Sequence, residues 1–95
     1  MLLSLAAFSP GRAQAERKTP PCIRFSGHVV ATAVGYNHVV AIENSCDGAA
    51  LCTVSTDVAP DPIQATVPTK QRIELVTFRG SPSYTFTPKV ECTFP

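Results

Sequence analysis

A chain of 95 residues with eight basic and seven acidic side chains holds at most one domain. It lacks the basic surplus that a phosphate backbone or an anionic membrane surface selects, so nucleic acid is excluded as a partner. Four cysteines and nine prolines in so short a chain point to a cross-linked fold poor in helix. Leu2 to Phe8 is a short apolar run ended by Pro10 and Gly11, and Ala13-Gln14-Ala15 has the spacing of a signal-peptidase site. The run is far shorter than the roughly 20 residues that span a bilayer, so no membrane span is expected. No Lys or Arg precedes it, as a start assigned too far downstream would produce. An export signal is expected over residues 1–15, and with it a secreted or periplasmic location. Its removal would take Arg12 away and leave seven basic and seven acidic side chains. Residues 16–21 (ERKTPP) read as a flexible lead-in, and residues 22–95 as a single folded domain.

Short β-rich runs follow, separated by turn residues. CIRFSGHVVATAV is the first strand, with Gly27 a candidate bulge that would flip its facing. Gly35 turns the chain into YNHVVAIEN, and LCTVSTDV is the third strand. Ala59 to Pro62 (APDP) carries two prolines that cannot donate to a ladder, which marks a crossover or an edge. IQATV, the turn PTKQ, and RIELVTF come next. Arg79 to Ser83 (RGSPS) reads as a loop, and YTFTPKVECTF as a sixth strand with Pro88 at an edge or bulge. No run of ten residues carries a capped helical stripe. The fold class is therefore all-β: a small antiparallel β-sandwich of about six strands, Ig-like or tendamistat-like in topology. The expected core is Phe25, Val29, Val40, Ile42, Val54, Ile73, Leu75, Val90 and bridged cysteines.

The gaps between the cysteines hold 23, 5 and 39 residues, so neither a C-x2-C zinc knuckle nor a redox C-x-x-C is present. Two disulfides remain. Strand alternation puts Cys46 on the side of Ile42 and Cys52 on the side of Val54, with the turn signal Asp47-Gly48 between them. That favours a bridge from Cys46 to Cys52 clipping a hairpin, with Cys22 to Cys92 tying the first strand to the last. The alternative pairing is Cys22 to Cys46 with Cys52 to Cys92. Chain entropy does not separate them, at about 7 kcal/mol for either.

From GYNHVV through NSC, LCTVSTDVAPDP and TFRGSP to FTPKVEC, most of residues 22–92 resembles small exported bacterial proteins of similar size. The resemblance implies export, β structure and disulfides, and carries no functional residues. In architecture the chain is also similar to the tendamistat-type α-amylase inhibitors. Those present a Trp-Arg-Tyr segment, and this chain has no Trp.

His28 and His38 are the only histidines, and a hairpin centred near Ala33 would set them opposite each other, within reach of one Cu or Zn ion. A one-residue slip would send them to opposite faces. The expectation is solvent-facing strand histidines and no metal or other cofactor. Phe78, Arg79, Gly80, Ser81, Pro82 and Tyr84 are the best recognition segment. Gly80 permits an unusual turn, Pro82 stiffens it, Arg79 offers a forked donor to a carboxylate or phosphate, and Phe78 and Tyr84 offer apolar surface. Catalysis has no comparable signal: G-x-S-x-G, H-E-x-x-H and a phosphate-binding Gly-rich loop are absent. Ser81, His38 and Asp57 form only the set that any such chain contains. The chain thus reads as a non-enzymatic exported binding module for a protein or a carbohydrate. The alternatives are an inhibitor of an extracellular enzyme acting through residues 79–83, and a small metal-binding protein using His28 and His38.

Overall fold

The computed structural model describes residues 19–95. The export signal expected over residues 1–15, and residues 16–18 of the lead-in, lie outside the described residues. From Thr19 onward the lead-in is fastened rather than flexible. The Thr19 hydroxyl donates to Val90 O at 3.0 Å and accepts from Cys92 N–H at 3.3 Å, and Pro20 O accepts from Ile23 N–H at 3.0 Å.

Six strands follow: β1 (Ile23–Thr32), β2 (Gly35–Asn44), β3 (Ala50–Thr56), β4 (Ile63–Val67), β5 (Gln71–Ser81) and β6 (Pro88–Thr93). One sheet has the order β1-β2-β5 and the other β4-β3-β6, with every pairing antiparallel. The chain is an all-β sandwich with two disulfides. Among the described residues no helix is long and apolar enough to cross a membrane.

Period-two alternation explains β3, whose Ala50, Cys52, Val54 and Thr56 are buried while the residues between them are not. β2 is the centre of its sheet and is buried on both faces from His38 to Ile42. Val40 lies between Gly27 and Leu75, and Ile42 between Phe25 and Ile73. Val40, Ile42, Cys52, Val54 and Val67 are fully buried, each large aliphatic side chain contributing about 1.5–3 kcal/mol. Of the expected core, Val90 is also buried, and Ile73 and Leu75 pack against the cluster from its margin. Val29 is half-buried. Phe25 is a correction: it faces inward beside Ile42 but is 41% exposed, because β1 is the edge strand of its sheet.

Three further local expectations change. Gly27 is not a bulge, since the β1–β2 register runs unbroken through it. It is glycine for space: a Cβ there would lie 2.8 Å from Phe86 Cζ. The turn falls at Ala33-Val34, not at Gly35, with Thr32 and Gly35 as its closing pair. The Thr32 hydroxyl secures it, donating to Gly35 O at 2.9 Å and accepting from Val34 N–H at 3.3 Å. Gly35 has φ of +140°, and a Cβ would meet Ser81 O at 2.6 Å, so only glycine lets the hairpin close against β5. Finally, β5 runs on through Ser81, so Arg79 to Ser81 are strand and the loop is residues 82–87.

The disulfides are Cys22–Cys46 and Cys52–Cys92, which corrects the favoured clipped hairpin. β2 and β3 belong to different sheets, so Asp47-Gly48 lies in a crossover and not in a hairpin turn. Cys46 therefore meets Cys22 across the end of β1 and β2, where Ser45 N–H also donates to Cys22 O at 3.0 Å. Cys52 and Cys92 are register partners, with Cα atoms 4.0 Å apart. Each bridge closes within one sheet, so burial, the chain connections and the buried hydrogen bond from Asn44 of β2 to Val67 O of β4 hold the two sheets together.

Candidate functional site

The recognition segment anticipated at residues 78–84 sits at the hairpin end of the β1-β2-β5 sheet. Its neighbours there come from the β1–β2 hairpin. Tyr36 pairs with Ser81 across the strands, and Gly80, with φ of +70°, brings its α-carbon beside Val34. Gly80 N–H donates to Asn37 Oδ1 at 3.1 Å. Tyr84 meets Tyr36 edge to face, ring centroids 6.1 Å apart at 85°. The result is a cluster of side chains from two chain segments some forty-five residues apart in sequence, with Val34 81% and Tyr84 65% exposed. Val30 and Phe78 are exposed beside them.

Arg79 is the sole Asp, Glu, Lys or Arg within residues 29–38 and 76–88. It is exposed and makes no ion pair among the described residues. Ser81, by contrast, is buried and accepts a hydrogen bond from Ser83 N–H at 3.0 Å, so it shapes the turn instead of meeting a partner. Pro82 is exposed at the start of the loop.

What fixes this end is His38. A β-bulge opposite Tyr36 and His38 lets β5 bring Phe78 beside the imidazole, centroids 6.0 Å apart. Phe86 stacks on the same ring at 4.4 Å and 11°. The ring is fully buried, and its Nε2–H donates to Ser83 O at 2.7 Å. That bond assigns the proton to Nε2 and leaves Nδ1 without a partner. Ser83 Oγ donates to Thr85 O at 2.8 Å, and Thr87 N–H donates to Asp57 Oδ1 at 2.8 Å. The loop 82–87 is thus tied to the sandwich at both ends.

The solvent-facing assignment of His38 is therefore corrected, and so is the shared imidazole site. The register pairs His28 with Val39 and Val29 with His38, one residue away from the opposed arrangement. Adjacent register positions alternate faces, so His28 lies exposed on the outside of the sheet and His38 lies within. Among the described residues no three His, Cys, Asp or Glu side chains gather as a metal set.

The opposite end of the same sheet carries the charges. A concavity of about 530 Å³ opens there between Arg24, Glu43, Lys70 and Arg72. Arg72 is paired with Glu74 at 2.7 Å and Lys70 with Asp47 at 3.5 Å. Arg24 lies opposite Glu43 across the strands. These exposed pairs leave no concentrated field of either sign.

Sequence reasoning missed Val34 and Tyr36 as part of the site. The available signal was the uncharged, largely apolar stretch VVATAVGY running through a turn, where a solvent-facing tip is usually polar. No protein-family model, curated protein or solved structure matches this chain.

Proposed function

We propose that this chain is an exported, non-enzymatic binding module whose hairpin end engages a protein surface offering apolar side chains around a carboxylate. The observation that carries the proposal is that Val34, Phe78 and Tyr84 stand exposed, with Tyr36 against Tyr84, at the sheet end whose one Asp, Glu, Lys or Arg is the exposed Arg79, on a backbone held by His38. Aromatic anchors with an arginine are the side chains that dominate protein interfaces, and a pre-ordered surface loses less entropy on binding. Protein is favoured over carbohydrate because Tyr36 and Tyr84 stand perpendicular, so they form no flat platform for a sugar ring. Export is supported by two disulfides, which persist in oxidising compartments. The absence of catalysis is supported by how the notional triad is used: Ser81 caps a turn, His38 holds Ser83, and Asp57 holds Thr87.

The inhibitor reading keeps one supporting observation. Loop 82–87 is clamped at both ends, as a segment inserted into an enzyme cleft would need to be.

The test is affinity capture from the host's own envelope and medium with the oxidised chain. Tyr84→Ala and Val34→Asp alter the hairpin end, and Arg72→Ala alters the far end. The expected outcome is a protein retained by the wild type and by Arg72→Ala but weakened about tenfold or more by either hairpin-end change. Retention that survives both hairpin-end changes would overturn the proposal. If the captured protein is an enzyme that loses activity in the complex, the inhibitor reading replaces the general one.

A further inference from the structure

A sandwich of two three-stranded sheets has four edge strands, here β1 and β5 in one sheet and β4 and β6 in the other. An unguarded edge pairs with other chains, and folds blunt their edges with short strands, prolines, charges and bulges. β4 has five residues between Pro62 and Pro68. β6 has six, starts at Pro88 and carries Lys89 and Glu91. β5 carries Arg72, Glu74 and Arg79 and is bulged against β2. β1 has the fewest of these protections. It runs ten residues without proline or bulge, has Arg24 as its one charged side chain, and leaves eight of its residues exposed.

We infer that β1 is a self-association edge, pairing antiparallel with β1 of a second copy of this chain to make a continuous six-stranded sheet across a two-fold axis. Three observations select a second copy as the occupant. First, a two-fold axis perpendicular to the sheet pairs residues that share a face, so Phe25 and Val29 of each copy join the inner face of the other. That adds apolar cover to Phe25, the inward aromatic that the molecule's own second sheet leaves 41% exposed. Second, antiparallel pairing sets each Arg24 toward the Ala31-Thr32 end of the other strand, which keeps the two cations apart; a parallel pair would bring them together. Third, the edge is long and has no Asp, Glu, Lys or Arg beyond Arg24, so no such charge of one copy opposes a like charge of the other. The arrangement is closed, because pairing consumes the least guarded edge and exposes β5, a guarded one. It also sends the two hairpin ends in opposite directions, leaving both free, and it stands whether or not those ends bind a protein.

The experiment is sedimentation of the oxidised full chain from about 5 to about 200 µM, where a reversible dimer shifts with concentration, together with amide hydrogen exchange of β1. The expected result is a concentration-dependent rise to twice the monomer mass, with β1 amides slowing in step. Phe25→Lys puts an inward charge on the edge, and Ser26→Lys an outward one. Each should weaken association about tenfold or more while the thermal midpoint extrapolated to low concentration moves little. A species that stays monomeric at the highest concentration overturns the inference. Slow β1 exchange in that monomer would mean that the chain's own residues cover the edge. Fast exchange would leave it to a strand from a different partner. Growth beyond two copies, or a dimer that both lysine variants leave intact, overturns it as well.

Discussion

At one end of the β1-β2-β5 sheet, polar side chains are turned inward onto backbone groups. Asn44, nearly fully buried, donates to Gly48 O at 3.0 Å and Val67 O at 2.9 Å and accepts from Cys46 N–H at 2.8 Å. The Thr69 hydroxyl donates to Cys46 O, Lys70 Nζ donates to Ser45 O at 2.9 Å, and Cys46 is bridged to Cys22. At the other end the backbone is equally well held, through Gly35, Asn37 and His38, yet Val34 and Tyr84 are turned outward and Arg79 has no ion-pair partner among the described residues. Both ends are fastened, but among the described residues the two most exposed large apolar side chains, Val34 and Tyr84, stand at the second, whereas Phe94 beside Gly48 at the first is 39% exposed. Rigidity at the first end is explained by stability. At the second, stability accounts for the fastening and not for what is displayed, and that remainder is the signature of a binding surface.

The comparison breaks most visibly at the fastened end. Cys22→Ser with Cys46→Ser opens a loop of separation 24 and is expected to cost about 3.5 kcal/mol in urea unfolding. Partner capture below the lowered midpoint should stay unchanged. Asn44→Ala leaves Cys46 N–H and two carbonyls without their partner, for an expected loss of about 2–3 kcal/mol by the same measurement.

Gly35→Ala is the variant that should affect both properties. It asks a Cβ to adopt φ of +140° and to sit against Ser81 O, so stability should fall by about 2 kcal/mol. Capture should weaken too, because the hairpin is pushed off β5. Smallest of all are Val34→Asp and Tyr84→Ala, each within about 0.5 kcal/mol of wild type in thermal unfolding despite their loss of binding. A loss of 2 kcal/mol or more at Tyr84, a value typical of buried side chains, would make that end structural and erase the contrast.

How much of this could be read from the chain follows from which contacts are local. Alternation in CTVST places Cys52 and Val54 inward, and the runs ending at Asn44 and starting at Ile63 mark strand limits to the residue. Alternation assigns a face but not a sheet. Cys46 and Cys52 both point inward and yet belong to opposite sides of a crossover, so the disulfide map was hidden. The hairpin centre shifted by half a residue, because Thr32 closes a turn at Ala33-Val34, and that alone sent His28 and His38 to opposite faces. Phe78 to Tyr84 was legible as a candidate from its own composition. Its companions Val34 and Tyr36 were not, since only the β2–β5 pairing brings them there.

The claim that the hairpin end is the binding end is tested most directly by placing p-benzoylphenylalanine at Tyr84, and separately at Arg72, in the protein expressed in its own host and irradiated. The account predicts a discrete protein adduct from position 84 and none from position 72. An adduct from position 72 with none from position 84 would contradict it and move the binding surface to the charged end of the sheet.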